Sequence, residues 1–212
     1  MKLAVISTPD EQAHEIAIVQ ALFLAGLERF HLRKPSWDAP RVAAWLGAMP
    51  ARWHGRVFLH SRHALATSLR VGGIHFPDAV ENSKPPENCA TSRSCHDVAG
   101  VKAALGRHDC LFFGPVFPSL SKTGYGPAPA RMLADLRELL LHRPATEKGT
   151  EVFAIGGVTV GRLDACRDMG FDGAAILGAL WGAADPVAMF REFNDACRPR
   201  ADVPTVSMEA TT

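Results

Sequence analysis

The chain has 212 residues, 47% of them apolar, and a formal net charge of +1. That length suits one barrel-sized domain with a large buried core, and the balanced charge gives no reason to expect a nucleic-acid or acidic-polymer partner. No apolar run approaches the roughly 20 residues that cross a bilayer, no secretory leader is evident, and the five cysteines lack CxxC spacing, so a reduced, cytoplasmic setting is the expectation.

Short β-type runs alternate with helical stretches along the chain. LAVIS (3–7) reads as a buried strand, and Ile16, Ala17, Val19, Gln20, Phe23 and Leu24 belong to a helix after it. ERFHLRK (28–34) reads as the second strand, with Val42, Trp45, Leu46 and Met49 at helical spacing beyond it. RVFLH (56–60) is the third strand, with a helix over 64–69, and GIHF (73–76) is the fourth. The polar, proline-rich stretch PDAVENSKPPEN (77–88) reads as a loop in place of a helix. CATSRS (89–94) and CLFFG (110–114) are strands five and six, followed by helices over 97–105 and 129–141. EVFAIGG (151–157) and DGAAILG (172–178) are strands seven and eight, with helices over 159–168 and 185–197. Eight strand–helix units, apolar on both strand faces, predict a single-domain (β/α)8 barrel over 1–197. An open doubly wound sheet is the alternative, weakened by the absence of GxGxxG after the first strand. The polar tail 198–212 is expected to be disordered.

In such a barrel, chemistry lies at the C-terminal strand ends. The turns AIGGVT and AILGAL place Gly156, Gly157 and Gly178 after strands seven and eight, where glycine lets backbone N–H groups approach a phosphate. Plain tight turns are the competing explanation. Arg33, Lys34 and Lys122 would add positive charge at the same face. Phe112 and Phe113 read as core. His31, His60, His75 and His96 stand at successive strand ends and could converge on zinc or iron, although strand-end carboxylates are scarce: Asp78 is near and Asp97 follows His96. Cys95 has only His96 as an evident activating partner, so a buried, inert thiol is the stronger reading.

The pieces FHLRKP, GGIHF, SCH, FGPVFPSLSK, AIGGVT and DGAAILGALW together resemble the thiamine phosphate synthase/TenI family over residues 1–195, in a shortened HLRKP-type branch. The resemblance implies a (β/α)8 barrel of thiamine biosynthesis that joins hydroxymethylpyrimidine diphosphate to thiazole phosphate, with Mg2+ assisting departure of diphosphate. It implies that Arg33, Lys34, Ser94 and Lys122 hold diphosphate and that Ser119, Ser121, Gly157 and Gly178 hold the thiazole phosphate. Arg33, Lys122 and His96 are the catalytic candidates, with His31, His60 and Gly156 among the substrate-binding ones.

The departures from the family pattern are specific. Strand two usually reads Gln-Leu-Arg-x-Lys, whereas here His31-Leu32-Arg33-Lys34 brings the lysine one place early. The usual Asn-Asp after strand three is His60-Ser61, and the second metal-ligating aspartate is missing after strand four, where Asp78 is the substitute candidate. Mg2+ is therefore a doubtful expectation. A TenI-type thiazole tautomerase using His96 as acid/base needs no Mg2+ and is the alternative, as is a non-catalytic thiazole or thiamine phosphate binding protein. A phosphosugar epimerase or lyase would need a second strand-end carboxylate, and none is evident. No nucleic acid or membrane is expected as partner, and homo-oligomerisation is left open.

Overall fold

The computed structural model describes residues 1–78, 85, 87, 89–118, 126–144, 146, 147 and 149–198. Eight parallel strands close into a barrel in chain order: β1 (Lys2–Ile6), β2 (Arg29–Leu32), β3 (Val57–Leu59), β4 (Gly73–Phe76), β5 (Ala90–Cys95), β6 (Cys110–Phe113), β7 (Glu151–Ile155) and β8 (Gly173–Ile176). Closure runs through β1 and β8, with Lys2 opposite Gly173 and Val5 opposite Ile176. The helices are α1 (Glu15–Leu24), α2 (Ala39–Ala48), α3 (Leu65–Ser68), α4 (Val98–Ala104), α5 (Ala130–Leu141), α6 (Leu163–Asp168), α7 (Gly178–Trp181) and α8 (Pro186–Cys197). The predicted barrel is the one observed. No helix among the described residues is long and apolar enough to cross a membrane.

Local chemistry sets several element starts. Asp38, Asp97 and Asp185 cap α2, α4 and α8 by accepting backbone N–H groups of the first turn, and prolines pre-set the first turns of α2 and α8. Strand parity then divides the side chains. Leu3 and Val5, Leu111 and Phe113, and Val152 and Ala154 face the helices, while Ala4, Ile6, Cys110, Phe112, Phe153 and Ala175 form a separate cluster inside the barrel. Two lumen glycines make room for aromatic rings. A Cβ on Gly73 would lie 2.3 Å from the Phe58 ring, and one on Gly173 would lie 2.4 Å from Phe153. At the N-terminal end of the barrel, Lys2 and Arg29 both pair with Glu151.

Some predicted bounds change. β2 ends at Leu32, so Arg33 and Lys34 lie beyond the strand rather than on it. Arg56 belongs to a 3-10 turn (Ala51–Arg56) that precedes β3, and another (Val160–Arg162) replaces the start of the helix predicted over 159–168. Gly178 opens the short helix α7 instead of ending strand eight. On α1 the buried face is Glu15, Val19, Leu22 and Phe23, with Leu24 turned to solvent, because an almost wholly apolar helix gives no contrast from which to read its inward side. Most of the 77–88 loop and the tail from residue 199 lie outside the described residues.

Candidate active site

A cleft of about 640 Å3 opens at the C-terminal strand ends. Its apolar wall is Ile6, Phe112, Ile155 and Ala175, and its polar side carries Arg33, His60, Ser61, His75, Ser94 and His96. Phe112 is thus both core and cleft wall, packed against His75 with ring centroids 5.2 Å apart. Phe113 lies wholly in the helix-facing core, as predicted.

The two cations after β2 take different surroundings. Arg33 is exposed on the cleft, and its guanidinium makes no hydrogen bond or ion pair among the described residues. Its backbone is held by Ser7, whose hydroxyl accepts the Arg33 N–H at 2.8 Å. Lys34 is buried at 1% exposure, and its ammonium donates to Glu15 Oε1 at 2.8 Å and to the Asp10 carbonyl at 2.6 Å, beside the Trp37 ring. Trp45 Nε1–H donates to the other Glu15 oxygen at 3.1 Å. Burial raises the Glu15 carboxyl above its ordinary range, and the Lys34 ammonium opposes that shift. Lys34 borders the cleft, but its charge is already matched.

Three of the four strand-end histidines converge. His31 lies fully buried beneath the cleft, its Nδ1 3.1 Å from His60 Nε2. The His60 and His75 rings stack with centroids 4.0 Å apart. His75 Nδ1 meets Ser92 Oγ and its Nε2 meets Ser94 Oγ, both at 2.9 Å. Ser92 Oγ donates to the Ile74 carbonyl at 3.4 Å. The hydroxyl therefore accepts from Nδ1–H, which leaves the His75 Nε2 lone pair to accept from Ser94. Burial lowers all three imidazoles, with further lowering by neighbouring histidines and by the Arg29 or Arg33 guanidinium, and His75 falls to about 3. All three are neutral near pH 7.

His96 stands apart from this triad. Its Nδ1–H donates to the Gly114 carbonyl at 2.8 Å, so Nε2 carries the lone pair in the neutral ring, on the cleft wall. Gly114 is confined, since a Cβ there would lie 2.1 Å from the Ile155 carbonyl oxygen. Beyond β7, Gly156 and Gly157 have φ of +90° and +64°. A Cβ on Gly157 would meet the Pro118 carbonyl at 2.3 Å, so only glycine fits between the β7 turn and the segment leaving β6. The N–H groups of Gly156 and Gly157 have no protein acceptor among the described residues. Trp181 Nε1–H donates to the Ile6 carbonyl at 2.7 Å and ties α7 over the end of β1, leaving Gly178 and Ala179 on the cleft.

Among the described lining residues Asp78 is the one carboxylate, and Arg93 holds it, with Nη2 donating to the Asp78 carbonyl at 2.8 Å and lying 3.6 Å from Oδ1. Mg2+ takes octahedral oxygen ligands, commonly including one or two carboxylates. A single ion-paired aspartate among imidazoles and hydroxyls does not fit that ion. Asp97 caps α4 instead of facing the cleft. Cys95 is buried and its thiol is pushed up to about 12 by burial, which makes it a poor nucleophile. Ser119, Ser121 and Lys122 lie outside the described residues. The sequence reading missed Glu15, Ser92 and Ser7. Each acts by supporting a cleft residue from another strand or helix, and strand parity in CATSRS was the available signal for Ser92, two places before Ser94.

Comparison with known proteins bears on this geometry. The sequence model of a family described as thiamine monophosphate synthase matches residues 3–180. A thiamine-phosphate synthase of Methylobacillus flagellatus is 27% identical over 207 residues, covering 88% of this chain and 91% of that protein. One of Bordetella bronchiseptica is 30% identical over 192 residues, covering 86% and 88%. Among solved structures, a thiamine phosphate pyrophosphorylase from Bacteroides thetaiotaomicron superposes with a TM-score of 0.74 at 29% identity, covering 92% of this chain and 97% of that one.

Proposed function

The chain belongs to the thiamine monophosphate synthase family, and we propose that it is a thiamine-phosphate synthase-type transferase joining hydroxymethylpyrimidine diphosphate to thiazole phosphate. The carbon–oxygen bond between the pyrimidine methylene and diphosphate breaks, and diphosphate leaves with the bonding pair. The thiazole nitrogen supplies the pair for the new carbon–nitrogen bond. The observation that carries this reading is the meeting, in one cleft, of the Arg33 guanidinium, unpaired among the described residues, with the glycine turns after β7 and β8.

Arg33 takes the departing diphosphate, where its fork of donors meets negative charge that grows as the bond breaks. Ser94, already oriented by His75, adds a hydroxyl at the same wall. The backbone N–H groups of Gly157 and Gly178 take the thiazole phosphate, because neither residue has a side chain to keep the anion away. The family resemblance assigns Lys122 to the diphosphate and Ser119 and Ser121 to the thiazole phosphate, outside the described residues. The neutral imidazoles of His60 and His75 add polarity to the cleft wall without positive charge. His96 offers a fixed Nε2 for a proton in transit. No step is assigned to Mg2+, since Asp78 is the cleft's one described carboxylate and is ion-paired.

The test is a split between substrates. Arg33→Ala should raise KM for the pyrimidine diphosphate about ten- to a hundredfold, the loss of a charged hydrogen bond, and leave KM for thiazole phosphate nearly unchanged. An equal rise for both, or none, would contradict the assignment.

A further inference from the structure

The barrel's polar half contains a histidine cluster to which the transferase reading gives no bond-making step. His31 comes from β2, His60 follows β3 and His75 belongs to β4, so three consecutive strands bring imidazoles to one place. One ring nitrogen from each lies within 4.8 Å of the other two. We propose that His31, His60 and His75 form a binding site for a divalent transition-metal cation of the zinc class at the floor of the cleft.

The spacing supports this directly. Two imidazole nitrogens bound to zinc at about 2.0–2.1 Å with tetrahedral angles stand roughly 3.3 Å apart. The His31 Nδ1 to His60 Nε2 separation is 3.1 Å, already near that value. The third nitrogen, from His75, lies within 4.8 Å of the other two, and drawing it inward exchanges a serine hydrogen bond for the metal. The donor set is imidazole with no carboxylate, which suits zinc, copper, nickel or iron and not the oxygen-seeking Mg2+.

At His75 the surroundings match those of a metal ligand. Metal-bound imidazoles are oriented by hydrogen bonds from the nitrogen that does not bind. His75 has that arrangement on one side, with Nδ1–H given to Ser92 and Ser92 passing its own proton to the Ile74 carbonyl, while the Nε2 lone pair accepts from the Ser94 hydroxyl, which a bound metal would replace. His31 is fully buried, and among the described residues its Nε2 is unpartnered and its Nδ1 meets another imidazole. A packed apolar residue would fill that position without an orphaned nitrogen. The open side of the triad faces the cleft, where Arg33 also stands, so a phosphate oxygen or water can complete the coordination.

Metal binding is read without substrate and so stands or falls separately from the transferase reading. Protein stripped with a chelator and titrated with Zn2+ or Co2+ should take up one equivalent per chain, with cobalt giving the visible bands of a four- or five-coordinate ion. His31→Gln and His75→Gln should abolish the equivalent. Ser92→Ala, which keeps all three ligands, should weaken it about 10- to 100-fold. His142→Gln, an exposed position just after α5, should change nothing. X-ray absorption on the zinc-loaded wild type gives a reading that needs no variant, with three imidazoles expected in the first shell. Absence of a stoichiometric equivalent, a shell without imidazole scattering, or equal loss in His142→Gln would overturn the proposal.

Discussion

Arg33 and Lys34 differ by one backbone step and by almost everything else. Side chains in extended chain alternate faces, so a one-place shift of a lysine sends it to the other side. Arg33 emerges in the cleft, and Lys34 turns toward α1, where Glu15 waits. Both were diphosphate ligands only by the family resemblance; their place after strand two gave no more than positive charge at the catalytic face. The partner that separates them lies 19 residues away and, in the sequence, is one charge at the start of an apolar helix. The early lysine was visible; its destination required the helix to be placed. Lys34→Met leaves a carboxylate buried at 4% exposure without its cation, which costs on the order of 3–5 kcal/mol. Urea unfolding should register that loss, and Arg33→Ala should stay within about 0.5 kcal/mol of wild type. A Lys34→Met protein as stable as wild type would mean that the pair is not structural.

Strands carry the fold's legibility and helices less of it. Each strand is a short apolar run bounded by turn residues, and parity within it assigns lumen and helix faces without further information. That parity puts His31, His75 and Ser92 inside the barrel, although the hydrogen bonds among them depend on register between strands, which no single strand's sequence contains. The four-residue helix α7 was not legible because one turn shows no period. Gly73 and Gly173 also show what parity does, since each faces a phenylalanine of the neighbouring strand. Gly173→Ala should lower stability by about 1–3 kcal/mol through overpacking, measured by thermal unfolding. An unchanged midpoint would contradict the close contact with Phe153.

The whole molecule joins an apolar lumen wall, built by β6, β7, β8 and β1, to a polar one built by β2, β4, β5 and the residue after β3. The catalytic face inherits that division: a dry side bearing Phe112, Ile155 and Ala175, and a hydrogen-bonding side bearing Arg33, His60, His75 and Ser94. Eight alternating units made the barrel readable, and the strand-end motifs made the family readable, while the missing strand-end aspartates left the role of metal open at the level of sequence. Mass-spectrometric detection of thiamine phosphate is the most direct test of the central claim. Purified protein would receive both substrates, chelated and then resupplied separately with Mg2+ and Zn2+. The account predicts thiamine phosphate and diphosphate in equal amounts, and both substrates bound yet unconsumed under every metal condition would contradict it.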